Sequence, residues 1–136
     1  MIRSQIIIVL RDKFGRILLQ LRDEKPKRYP NYWAFFGGGI EKGETPEKAF
    51  RRELKEELGR RFKNYKFFRK YKLKDKFGSI EEYVYIISIK SLASKLRLKL
   101  GEGRGLAFLS CKEIKKIKTP EYEKSIFDDL CKLNRA

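Results

Sequence analysis

The sequence predicts a single mixed α/β domain, and three features carry that expectation. The tetrapeptide Asp-Lys-Phe-Gly occurs twice, at 12–15 and 75–78, each time between two runs rich in apolar residues, which is the pattern of a hairpin. Thr45-Pro46 opens a stretch whose apolar residues return every three to four positions, which is the pattern of a helix packed on one side. No linker or shift in composition separates these parts, and 136 residues leave room for one core.

Taken in order, "SQIIIVLRDKFGRILLQLRD" (4–23) reads as two strands around a turn. The run Ile6, Ile7, Ile8, Val9, Leu10 is apolar on both faces. In the second strand Ile17, Leu19 and Leu21 alternate with Arg16, Gln20 and Arg22, with Leu18 breaking the pattern. Gly15 supplies the positive φ the turn needs. A Pro-containing loop (23–33) leads to "WAFF", a short strand, and to the three glycines 37–39, which read as a tight turn. Thr45 is placed to cap a helix with Pro46 in its first turn, and the helix runs to Leu58, where Gly59 can end it. "YKFFRKYKL" and "EEYVYIISI" flank the second hairpin turn, and "GLAFLS" is a last strand. "CKEIKKI" and "TPEYEKSIFDDLCKL" read as helices, the second again opened by Thr-Pro.

Composition narrows the chemistry. The longest apolar run is too short for a membrane span and lacks the length of a signal-peptide core, so a soluble, cytoplasmic protein with no membrane partner is expected. Cys111 and Cys131 have no metal-ligand spacing and read as reduced thiols. The chain contains no histidine, which excludes a Ser-His-Asp triad, a Cys-His pair and any imidazole base. Hydrolytic chemistry must come from carboxylates, lysine, tyrosine or a metal.

With 34 Lys+Arg against 18 Asp+Glu the formal net charge is +16. Between Gly38 and Arg60, however, Lys42, Lys48, Arg51, Arg52, Lys55 and Arg60 are balanced by Glu41, Glu44, Glu47, Glu53, Glu56 and Glu57, so the whole excess lies elsewhere. It is densest at 60–74, which is either a solvated face or a phosphate-binding surface.

On a helix Glu53, Glu56 and Glu57 share an arc of about 100°, beside the arc of Phe50, Leu54 and Leu58. Salt bridges to Arg52, Arg60 and Arg61 would account for some of these carboxylates at about 0.2–0.5 kcal/mol each, but Glu53 also meets Glu56 and Glu57 at repulsive offsets. A cluster of carboxylates at the edge of a buried face also suits a hard divalent cation, Mg²⁺ or Mn²⁺.

The segment "GGGIEKGETPEKAFRRELKEELGR" resembles the signature of the Nudix hydrolases. Gly38 is followed after five residues by Glu44 and after seven more by Arg52-Glu53; Leu54, Glu56-Glu57 and Gly59 complete it, and Arg60 stands where an aliphatic residue is usual. The resemblance implies an α/β/α sandwich with a mixed β-sheet in a single domain over 1–136, with the signature at 38–60. It implies hydrolysis of a pyrophosphate bond in a nucleoside diphosphate linked to a further group, with Mg²⁺ or Mn²⁺ as cofactor.

Carried onto this sequence, Glu53, Glu56 and Glu57 would be catalytic metal ligands, assisted by a backbone carbonyl at Gly37 or Gly38, while Glu44 and Arg52 would hold the loop and orient the carboxylates. The water's base would be a signature glutamate or Glu102, in the loop before the last strand, and Arg22 would contact phosphate. Tyr29 and Tyr32 are candidates to stack a base, whereas Trp33 and Phe35 read as core. A small nucleotide is the expected partner, for a monomer or homodimer. The alternatives are a nucleic-acid-binding module of the same fold, or an RNA 5′-end pyrophosphohydrolase, using the basic surface at 60–74.

Overall fold

The structure, a computed structural model, describes residues 2–22, 29–59, 61–89 and 105–133. The order of elements is β1 (Arg3–Asp12), β2 (Ile17–Leu21), β3 (Trp33–Ala34), β4 (Phe36–Gly39), α1 (Pro46–Leu58), β5 (Tyr65–Asp75), β6 (Gly78–Ile89), β7 (Gly105–Leu109), α2 (Cys111–Ile114), a 3₁₀ turn (Glu121–Glu123) and α3 (Lys124–Lys132). The described strands form one mixed sheet in the order β3-β2-β1-β6-β5, with β4 on β1 and β7 on β2. β1 is the axis: it runs parallel to β6 along its length, from Arg3 opposite Ile80 to Asp12 opposite Ile89. Over Gln5 to Ile8 its other edge takes β4 antiparallel, and at Arg11 it takes β2.

This central position explains the unbroken apolar run. Ile6, Ile8 and Leu10 face α1, packing with Phe36, Phe50, Leu54 and Leu58, while Ile7 and Val9 face the opposite layer with Val84, Ile86, Ile126, Phe127 and Leu130. A strand covered on both sides has no polar face to show. The result is the expected α/β/α sandwich. Phe35 stacks on Phe127 with ring centroids 4.4 Å apart, and Trp33 packs at the margin of the same cluster, as the core reading of both required.

The two Asp-Lys-Phe-Gly turns are built alike. Asp12 Oδ1 accepts from the backbone N–H of Phe14 at 3.0 Å, and Asp75 Oδ1 from that of Phe77 at 2.8 Å, while Gly15 and Gly78 take φ of 78° and 124°. Each aspartate thus satisfies the bend that its glycine permits. α1 begins as the sequence predicts, with Thr45 Oγ1 accepting from Lys48 N at 3.2 Å and Pro46 in the first turn, and it ends at Gly59 in the left-handed conformation.

Three expectations are corrected. The glycines 37–39 form strand, not a tight turn, because Gly37, Gly38 and Gly39 pair with Ile7, Ile6 and Gln5. Thr119 does not cap α3: after Pro120 the chain makes a 3₁₀ turn with no side-chain cap. Cys111 and Cys131 are joined in a disulfide rather than left reduced. The start of α2 and the end of α3 bring their Cα atoms to 5.9 Å, within bonding reach, although 20 residues separate them in sequence. No described helix is long and apolar enough to cross a membrane.

The basic run at 60–74 supplies most of β5, the last strand of the sheet among those described. Lys66, Lys70, Lys72 and Lys74 are exposed on it, Lys70 pairs with Glu81 at 3.0 Å, and Arg69 pairs with Asp129 at 2.9 Å. Lysines along a terminal strand oppose edge-to-edge association, which gives this run a structural reason that needs no nucleic acid.

Candidate active site

α1 and β4 build the site together. α1 lies against β1 and β4 with Phe50, Leu54 and Leu58 inward, which sets Glu53 at the margin of the buried face, 6% exposed. Glu57 follows one turn later, half-buried, and Glu56 is exposed beside it. Gly38 lies directly over the Glu53 carboxylate: a Cβ there would stand 2.2 Å from Glu53 Oε1. Only a residue without a side chain leaves the carboxylate its place, so strand and helix meet here on a glycine and a glutamate.

Arg52 ties the loop to the helix. Its Nε donates to Glu44 Oε2 at 2.7 Å and its Nη2 to Glu44 Oε1 at 2.8 Å, a two-pronged pair. Nη2 also donates to the Gly39 carbonyl at 2.9 Å, and Nη1 to Glu53 Oε1 at 2.9 Å and Glu56 Oε2 at 3.2 Å. Glu44 Oε1 accepts in addition from the Glu41 backbone N–H at 2.8 Å. The Arg52 hydrogen bonds, then the Glu41 N–H, hold the Glu44 carboxyl down to about 2. Glu53 is pushed the other way, upward, by burial, with Arg52 opposing the shift in part.

The donors suit a divalent cation in kind, being carboxylate oxygens at a partly desolvated edge with room made by Gly38. Their arrangement is not that of an assembled metal cage: among the described residues no three carboxylates are gathered closely enough to hold an ion. Glu53 and Glu56 each turn an oxygen to Arg52, and a cation would draw them away from it.

The remaining sequence candidates fall in two groups. Glu102 and Arg60 lie outside the described residues. Arg22, at the end of β2, lines a cavity of about 160 Å³ that Gly37 and Gly38 also line. Tyr29 and Tyr32 line a wider groove next to it, together with Lys74, Lys118 and Lys124.

The sequence reading missed two buried carboxyls, Glu82 on β6 and Glu123 in the 3₁₀ turn, 0% and 4% exposed, the second of which lines the cavity. Burial raises both; Glu123 raises Glu82 further, while the hydrogen bond from Glu82 opposes the rise at Glu123. The two were legible only as "EEY" and "EYE", in which each has an exposed or half-buried glutamate close by.

The pattern of the NUDIX domain matches residues 1–130. The chain belongs to the NUDIX family. It is similar to nucleoside triphosphatase NudI of Enterobacter sp. (strain 638), with 61% identity over 33 residues, 24% of this chain and 23% of that protein. To NudI of Escherichia coli O139:H28 (strain E24377A / ETEC) the identity is 37% over 57 residues, 42% of this chain and 40% of the relative. The chain therefore spans less than half the length of these curated relatives. Among solved structures, the MutT protein from Methanosarcina mazei Go1 superposes with a TM-score of 0.80 over 99% of this chain and 96% of that one, at 18% identity, a likeness of fold.

Proposed function

We propose that this NUDIX protein is a Mg²⁺- or Mn²⁺-dependent hydrolase that cleaves a pyrophosphate bond in a nucleoside di- or triphosphate derivative, by attack of water on phosphorus. The observation that carries the reading is the arrangement of Arg52, Glu44, Glu53 and Gly38, in which the signature residues meet one another in space at hydrogen-bond distance or closer than a side chain would allow.

Glu53, Glu56 and Glu57 are the metal-holding carboxylates, with a carbonyl at Gly37 or Gly38 assisting. Bound there, the cation supplies neutralisation of phosphate oxygens and Lewis acidity at the reacting centre. Arg52, fixed by Glu44 and the Gly39 carbonyl, orients Glu53 and Glu56 from behind. Arg22 steadies a substrate phosphate, and the proton leaving the attacking water goes to a signature glutamate or to Glu102. The same reading makes it a cytoplasmic protein acting on small nucleotides, and a cross-link between Cys111 and Cys131 suits that compartment in heat-adapted organisms.

The test is hydrolysis of a nucleotide panel by the purified protein with Mg²⁺, with and without chelator, for wild type and Glu57→Gln. Chelator should abolish turnover, and the variant should lose at least about a hundredfold with its melting temperature retained. Chelator-resistant hydrolysis, or near-normal turnover in the variant, overturns the assignment.

A further inference from the structure

The segment from Cys111 to Cys131 is closed into a loop by its own cross-link, and that loop supplies one wall of the wide groove. Ile114, Lys115 and Lys118 come from its first half and Tyr122 and Lys124 from its second, while the facing wall comes from 29–32 and 74–76.

The two halves are held very differently. α3 is anchored without the cross-link. Ile126, Phe127 and Leu130 are buried with the sheet residues Ile7, Val9 and Val84, and Asp129 Oδ2 accepts from Tyr71 Oη at 2.7 Å and from Arg69 Nη1 at 2.9 Å. α2 is a single turn of four residues with one buried side chain, Ile114. A helix this short has little stability of its own. Its capping box, Ser110 with Glu113, ties it only to its own start. Beyond α2 the chain reaches the facing wall through Lys118, whose carbonyl accepts from the Trp33 N–H at 2.9 Å and whose Nζ stands 4.5 Å from the centre of the Tyr32 ring. The cross-link therefore fastens the weakly held half of the wall to the firmly held half.

Both cysteines are half-buried rather than sealed in the core. A cross-link within reach of solvent is open to thiol exchange, and in a reducing compartment such links are usually of the redox-sensing kind. A thiolate of a dithiol attacks one sulfur, and the S–S bond breaks to leave a mixed disulfide. The second thiol of the reductant then displaces the cysteine still attached. Two electrons and two protons pass to Cys111 and Cys131, and the reductant leaves as a disulfide.

We propose that Cys111 and Cys131 are a reversible redox site for a dithiol reductant, and that opening it loosens 111–118 and withdraws Lys115 and Lys118 from the groove. The consequence is a weaker hold on a nucleotide, a step that rests on the nucleotide reading given above. The carboxylate strip takes no part in the loosening, because Glu53, Glu56 and Glu57 lie on α1, which packs on the opposite face of the sheet. Reduction acts on affinity and leaves the chemical step alone.

The experiment is hydrogen exchange on the purified full chain when oxidised, reduced with dithiothreitol and reoxidised, with the double variant Cys111→Ser, Cys131→Ser as control and a thiol titration of each state. Reduction should release both thiols. It should speed exchange about tenfold or more at the Trp33 amide and at the hydrogen-bonded amides of 114–117, as local opening does, while β1 and β6 stay protected. Reoxidation should restore slow exchange, and the double variant should exchange fast at these positions with or without the reductant. Thiols that the reductant cannot release, exchange unchanged by reduction, or protection lost across β1 and β6 together overturns the proposal, the last because the link would then be a staple of the whole fold. In turnover of a nucleotide, reduction should raise KM severalfold with kcat retained, and a KM indifferent to reduction overturns the coupling to substrate. If no nucleotide is turned over, the enzymatic reading falls and the exchange data still decide the redox site.

Discussion

Arg52 and Glu44 show how much one pair of residues organises here. Glu44 sits in the loop before α1 and Arg52 two turns into the helix, so their two-pronged contact fixes the loop against the helix that carries the carboxylates. The pairing has a pH signature. The Glu44 carboxyl is held at about 2 against an ordinary 4.5, so its contribution to stability is complete above about pH 4.5 and is lost as pH falls toward 2. Melting temperatures of wild type and Glu44→Gln should therefore differ most above pH 5 and converge near pH 2. A gap that stays constant across that range would show that Glu44 does not titrate against Arg52. This contact was legible in the sequence because the signature fixes the spacing of its members. Glu82 was not: it neighbours Glu81 on the same strand, and a shift of one residue in register decides which of the two enters the core.

At the scale of elements, the hairpins and α1 were legible because their signals are local: an aspartate and a glycine at fixed offsets, a threonine cap, an apolar arc. The departures came from partners distant in sequence. Three glycines usually interrupt a strand, but here β1 supplies the ladder and Glu53 needs the space a side chain would fill. Thr119-Pro120 repeats the dipeptide that opens α1, yet its backbone turns into 3₁₀ geometry under the packing of Tyr122 and Glu123. The disulfide depends on the docking of α2 beside α3, which no spacing encodes. Closing a loop of 20 residues should contribute about 3 kcal/mol through the unfolded state. Cys131→Ser should therefore lower the urea midpoint under oxidising conditions, and a reductant should lower the wild type to match while leaving the variant unchanged. A variant as stable as the oxidised wild type would mean that the cross-link only records the proximity of the two helices.

The whole molecule carries its charge in a way that favours an anionic substrate. The signature segment is neutral within a chain of formal charge +16, so the carboxylates that would hold the cation sit in a positive surrounding. The groove of about 1160 Å³ beside the smaller cavity is lined by Lys74, Lys76, Lys115, Lys118 and Lys124, and both spaces share Tyr29, Pro120 and Tyr122. A nucleotide approaching from that side meets lysines before it meets the glutamates. Such a field raises the rate of encounter and does not alter the chemical step. It is also screened by salt, since the Debye length shrinks from about 30 Å at 0.01 M to about 10 Å at 0.1 M. Across that range kcat/KM for a nucleotide substrate should fall severalfold while kcat holds. Lys118→Gln combined with Lys124→Gln should lower kcat/KM at low salt and flatten its salt dependence, because both side chains are exposed on the approach and neither belongs to the carboxylate strip. A salt response unchanged in the double variant would assign the steering to other lysines, those of β5 among them. A kcat/KM indifferent to salt in the wild type would leave the positive charge a role in solubility and edge protection alone.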